Sequence, residues 1–133
     1  MGIVVGYVAN PEGRTALRDA GAAAVRLAQP LVVVHSVRPG READPDERAQ
    51  LEAVHDAVRA DLDTAGLGHE LREVPDSEDP ADDLITAAEQ TGAQLIVIGL
   101  RRRTPVGKLI LGASAQRILL DAPCPVLAVK PEE

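Results

Sequence analysis

The chain has no phenylalanine and no tryptophan, and only one tyrosine, one methionine and one cysteine. Readers of single-stranded nucleic acid stack bases on aromatic side chains, and the platforms for that are missing. The lone Cys124 excludes an internal disulfide. No run of about 18 apolar residues is present to span a bilayer, so no membrane partner is expected. The N-terminus passes directly into Gly2-Ile3-Val4-Val5, without the basic and apolar regions of a signal peptide, and a cytoplasmic location is expected. Basic residues are also in deficit, 14 Lys and Arg against 21 Asp and Glu for a net charge of -7. Such a balance opposes sequence-independent binding to phosphate backbones, and no nucleic-acid partner is expected.

What remains is aliphatic. The 133 residues are 45% apolar, enough for one domain over 1–133 with a core of Val, Ile, Leu and Ala. Short apolar runs recur at Ile3–Val8, Leu31–Val37, Glu70–Val74, Leu95–Ile98 and Val126–Val129. Continuous β-branched runs mark strands covered on both faces, as in parallel sheets; the alternating, charged third run reads as an edge strand. Between them lie helical spacings: Leu17, Ala20, Ala24 and Leu27, then Leu51, Val54, Val58, Leu62 and Ala65 with Gly66 as a cap. Asp79-Pro80 reads as a capping acid before a first-turn proline, with Leu84, Ile85 and Ala88 facing inward until Gly92. A last helix is expected from about Ser114 to Asp121, ended by Pro123-Cys124-Pro125. The segment Arg38 to Asp46 reads as an exposed loop.

The order βαβαβαβαβ predicts a doubly wound, three-layer α/β/α sandwich on a five-stranded parallel sheet. Alternation alone permits strand order 2-1-3-4-5 as well as 3-2-1-4-5. Ligands in such sheets sit beyond the carboxyl ends of the strands, where the order reverses. The unusual segment there is Gly99 to Ala115, a basic connection ending in Gly112-Ala113-Ser114-Ala115. Positive charge gathers in this quarter: Gly99 to Lys130 carries 6 basic residues and one acid, whereas Arg38 to Ile98 carries 16 acids and 5 bases. Gly99 allows close backbone approach, and the N–H groups and the Ser114 hydroxyl at a helix N-terminus suit a phosphate. A solvated loop with a glycine that permits close packing fits the same residues.

Gly99, Gly112 and the approach Leu109-Ile110-Leu111, with the ending Pro123-Cys124-Pro125-Val126-Leu127-Ala128-Val129, resemble the universal stress protein family along the whole chain. ATP-binding members carry Gly, two residues, Gly, nine residues, then Gly-Ser or Gly-Thr at this place. The resemblance implies the adenine-nucleotide alpha-hydrolase-like fold with strand order 3-2-1-4-5, and ATP or AMP, with magnesium, in the loop after the fourth strand. It implies site residues Val37 (lining the adenine pocket), Gly99, Arg102, Gly112, Ala113 and Ser114, and a homodimer through the last strand. The family's signalling or protective role, rather than an enzymatic one, goes with it. The chain departs from the motif at three positions: Arg102 replaces the second glycine, Ala113 the hydroxyl residue, and Val8 the aspartate that ends the first strand. Arg102 either contacts phosphate through its side chain or fills the phosphate site itself. The alternative function is a dimeric adapter of the same family that binds no nucleotide.

Other constellations carry less. Val106-Gly107-Lys108-Leu109 lacks the first glycine and the Ser or Thr of a P-loop. Tyr7-Val8-Ala9 lacks the acids of a phosphorelay receiver. His35 reads as a satisfied core histidine, His55 and His69 as solvated, and Cys124 as a packing residue. Ser36 and Thr104 read as ordinary hydroxyls. The acidic stretch from Glu42 to Asp63 reads as a solvated face. No placed base, paired acids or metal cluster supports ATP hydrolysis.

Overall fold

The aliphatic runs become the strands of one sheet in the computed structural model, which describes residues 2–8, 11–37, 45–102, 109–110 and 112–130. The elements are β1 (Ile3–Gly6), α1 (Pro11–Leu27), β2 (Leu31–Ser36), α2 (Pro45–Thr64), β3 (His69–Val74), α3 (Pro80–Thr91), β4 (Leu95–Gly99), β5 (Arg101–Arg102), β6 (Leu109–Ile110), α4 (Ala113–Asp121) and β7 (Val126–Val129). The five-stranded sheet has the order β3-β2-β1-β4-β7, with every neighbouring pair parallel. Counting only its own strands, this is the 3-2-1-4-5 order of the resemblance.

Successive side chains of each strand point to opposite sides, and the central strands β1, β2 and β4 are covered by helices on both faces. Ile3, Val5, Leu31, Val33 and Val97 face α1 and α2, where Leu17, Ala20, Leu51, Val58 and Leu62 meet them. Val4, Val32, Val34, Ile96 and Ile98 face α3 and α4, against Leu84, Ala87, Ala88 and Ile118. Fully buried Leu17, Leu31 and Leu62 each contribute about 1.5–3 kcal/mol relative to an exposed side chain. The helix α3 begins as the sequence implied, with Asp79 accepting the Ala81 N–H at 2.9 Å ahead of Pro80.

Several expectations are corrected. The basic connection after β4 holds two further strands, β5 and β6, paired antiparallel through Arg101↔Ile110 and Arg102↔Leu109. Pro45 and Asp46, expected in the loop, begin α2, because a proline lacking its N–H is at home in a first helical turn. Leu27 and Ala65 close their stripes in solvent, Leu27 at 44% exposure. His55, expected in solvent, is buried at 6% exposure. Among the described residues no helix is long and apolar enough to cross a membrane.

Candidate functional site

The strand order reverses between β1 and β4: from β1 the chain moves to β2 and β3 on one side, then returns to β4 and β7 on the other. The chain leaves the two strands toward opposite sides of the sheet, and the first turn of α1 packs against the ends of both. A Cβ on Gly13 would stand 1.8 Å from the Val8 carbonyl oxygen, so only glycine lets α1 close onto the end of β1. A Cβ on Gly99 would stand 2.5 Å from the Glu12 carbonyl oxygen, so the glycine ending β4 admits the backbone of that same turn. The close approach assigned to Gly99 from sequence is thus made here by α1.

Glu12 is the residue between these contacts. Its Oε2 is shielded from solvent and has no hydrogen-bond partner among the described residues. The neighbouring cation, Arg14, directs its Nη1 to Gln50 Oε1 at 3.2 Å. A carboxylate accepts through both oxygens, and a shielded oxygen without a donor costs on the order of 1–3 kcal/mol. Val8, just past the end of β1, is 57% exposed, and its side chain presents no acceptor.

Beyond β1, Val37 follows β2 and is half-buried. Its N–H donates to the Val74 carbonyl at 2.8 Å and its carbonyl accepts the Ser77 N–H at 2.6 Å. Its backbone is occupied by the fold, and its side chain is what it can offer a ligand. The Ser36 and Ser77 hydroxyls both donate to Asp83 Oδ2, at 2.6 and 2.5 Å. They are hydroxyls in a structural clasp between β2, the turn after β3 and the first turn of α3.

On the β4 side, α4 runs back against the direction of the strands, which sets its N-terminus at the sheet's carboxyl edge. Gly112 is its N-cap, with extended backbone, no side-chain cap and open space around it. First-turn N–H groups have no acceptor within their own helix, and they carry the positive end of its dipole. Ala113 and Ser114 are exposed beside them. The backbone of Arg102 lies in β5; its side chain, Thr104, Gly107 and Lys108 lie outside the described residues. Val37, Gly99 and Gly112 to Ser114 therefore share one edge of the sheet.

Sequence reasoning missed the disposition of charge around α4. Arg117 reaches Asp79 at 2.5 Å, Asp82, and Asp121 at 3.7 Å. Hydrogen bonds to Asp82 and then Asp79 push the guanidinium pKa up. One of the basic residues counted toward a positive last quarter is thus spent on acids of α3, which sequence separation concealed. It also missed Glu12, whose only sequence signal was an acid in a first helical turn.

The histidines and the cysteine lie apart from this edge or beneath it. Continuing the β1–β2 register sets Tyr7 opposite His35, and their rings meet edge to face at 6.0 Å. His35 is buried as expected, but its Nδ1 has no hydrogen-bond partner among the described residues. His55 packs against His69 with ring centroids 6.1 Å apart, and His69 Nε2 meets Asp63 Oδ1 at 3.0 Å. Burial first, then the charge of Arg59 and the neighbouring His69, lower the His55 pKa against the opposing pull of Asp56. Cys124 packs on the α3/α4 side, where burial raises its thiol pKa and disfavours the reactive thiolate. Among the described residues no group of three His, Cys, Asp or Glu could hold a metal ion.

Comparison with known proteins gives a consistent match. Residues 1–130 fit the pattern described as the universal stress protein family. A universal stress protein of Mycolicibacterium smegmatis is 45% identical over 130 residues, covering 97% of each chain. The solved structure of a universal stress protein from Archaeoglobus fulgidus superposes with a TM-score of 0.74 at 30% identity over 98% of both chains. A second Archaeoglobus fulgidus structure, in complex with dAMP, gives a TM-score of 0.70 at 25% identity, again over 98% of both.

Proposed function

The chain belongs to the universal stress protein family, and on that premise we propose that it binds an adenine nucleotide, AMP or ATP, as a signalling or protective protein and not as an enzyme. The observation that carries this reading is the uncapped N-terminus of α4 at Gly112, opening at the strand edge where the sheet order reverses. That is where an open α/β sheet takes a phosphate-bearing ligand. The complex of a similar protein with dAMP supports the ligand class. The ligand lies with its base toward Val37 and Val8, its sugar across the ends of β1 and β4, and its phosphates at Gly112, Ala113 and Ser114, with Arg102 nearby along β5. Magnesium accompanies a triphosphate as part of the ligand.

The assembly proposed is a cytoplasmic homodimer through β7. This strand is an edge of the sheet, pairing among the described residues only with β4, and exposes Leu127 at 43%. On the adjoining α4, Leu119 and Leu120 are 43% and 84% exposed. Unpaired edge backbone beside apolar side chains favours pairing with a second copy.

Mass spectrometry of small molecules released from the purified, denatured protein tests the ligand, followed by calorimetry with AMP and ATP. Recovery of an adenine nucleotide at near one per chain, or calorimetric binding of either, is expected. Neither would leave the second reading, a dimeric adapter. That reading is favoured by Val8, whose exposed apolar side chain removes an acceptor from the crevice.

A further inference from the structure

We propose that Arg117 is a positioning residue for the phosphate end of the site: it neutralises the acids at the start of α3, which would otherwise repel an anion bound at the neighbouring N-terminus of α4. The inference rests on the nucleotide-binding reading above. The helices α3 and α4 lie side by side on one face of the sheet, and both open at its carboxyl edge. They open with opposite character. Asp79, Asp82 and Asp83 stand at the start of α3, whereas the first turn of α4 holds no acid and no side-chain cap. Arg117 lies between them, its Nη1 on Asp79 Oδ2 at 2.5 Å and its Nη2 on Asp82.

Distance decides which of its partners matter to a ligand. Arg117 follows Gly112 by five residues, about 7.5 Å along the helix axis, and helical side chains lean back toward the N-terminus. That is within the screening length of about 8 Å at physiological ionic strength, so the charges it holds are felt at the first turn. Asp121 follows Gly112 by nine residues, about 13.5 Å, and is screened. Asp83 is held by the uncharged hydroxyls of Ser36 and Ser77. Asp79 and Asp82 are the acids that Arg117 answers at this edge, and without it both face the phosphates unopposed. Exposed ion pairs add little to stability, so what Arg117 contributes here is the local potential rather than the fold.

The test is calorimetry of the full chain with adenosine, AMP and magnesium-free ATP at about 10 mM salt, where the screening length is about 30 Å. The proteins are the wild type, Arg117→Gln, Arg117→Lys, Asp82→Asn and the double variant Arg117→Gln, Asp82→Asn. Arg117→Gln is expected to leave adenosine unchanged and to weaken AMP about threefold and ATP about ninefold, an effect that doubles on a logarithmic scale as the ligand charge doubles. Arg117→Lys keeps the charge and stays within about twofold of the wild type for all three ligands. Asp82→Asn restores most of the loss in the double variant, and by itself tightens ATP binding. No loss in Arg117→Gln, or an equal loss for adenosine, AMP and ATP as a merely structural contact would give, overturns the inference. So does a double variant that is not rescued, which would assign the guanidinium directly to the phosphates. If Arg117→Gln does not fold, Asp82→Asn alone decides, and ATP bound no more tightly than by the wild type overturns the inference. A wild type that binds no adenine nucleotide overturns both it and the nucleotide-binding reading.

Discussion

Asp83, in the first turn of α3, accepts the hydroxyl of Ser36, the last residue of β2, at 2.6 Å. The same oxygen accepts the Ser77 hydroxyl at 2.5 Å, and the Ser77 N–H bonds the Val37 carbonyl at 2.6 Å. One carboxylate thereby fixes the backbone on which Val37 is presented. Replacing it with alanine leaves two part-buried hydroxyls without their acceptor. Asp83→Ala is expected to lower stability by about 2–3 kcal/mol, and Asp83→Asn by less, since an amide oxygen still accepts. Urea denaturation measures both, and a loss under about 0.5 kcal/mol in Asp83→Ala would remove the clasp from the account.

The buried His55 makes stability depend on pH. Its folded pKa is lowered from 6.5 by burial, with Arg59 and His69 adding to the effect. Above 6.5 the ring is neutral whether the chain is folded or not, and no penalty arises. As pH falls below 6.5 the unfolded chain takes up a proton that the folded chain resists, so stability declines. Urea midpoints between pH 8 and 5 are expected to fall for the wild type and to fall less steeply for His55→Leu. Equal slopes in the two proteins would mean that another group carries the dependence.

The alternation of strands and helices was legible because uninterrupted runs such as Leu31–Val34 can be buried only between two helical layers. Strand order was not, since hydrophobic pattern does not say which neighbour a covered strand takes. His55 was legible and was overlooked. It stands four residues after Leu51 and three before Val58, on the stripe that those residues define. The edge residues Val37, Gly99 and Gly112 could be located because each follows or precedes a recognisable element. The orphan oxygen of Glu12 and the acids around Arg117 could not, for both depend on residues brought together by α1 against β4 and by α4 against α3.

The dimer is tested at Leu127. Val129 belongs to the buried core at 8% exposure, so a charge there would damage the fold itself, whereas Leu127 is 43% exposed. Leu127→Lys is expected to convert a dimer to a folded monomer, read by light scattering at micromolar concentration with circular dichroism as control. A wild type that is already monomeric, or a Leu127→Lys variant that remains dimeric, would count against pairing through β7.

Restoring the complete family motif tests whether the crevice is a nucleotide site that has been weakened or one that has been closed. Val8 and Ala113 are both exposed, so Val8→Asp and Ala113→Ser add an acceptor and a hydroxyl without disturbing the core. Each added hydrogen bond is worth about 1 kcal/mol, or roughly fivefold in affinity. Arg102 separates the two cases. If its guanidinium contacts phosphate, Arg102→Gly weakens ATP binding through loss of a charge-assisted contact; if it fills the phosphate site, the same change strengthens binding. Calorimetry of Arg102→Gly alone gives the sign. The triple variant Val8→Asp, Arg102→Gly, Ala113→Ser is expected to bind ATP more tightly than Arg102→Gly does, by roughly twenty-fivefold if the two added bonds act independently. A triple variant that stays folded and binds no ATP would mean that the crevice between β1 and β4 does not admit the nucleotide, and the adapter reading would replace the nucleotide-binding one.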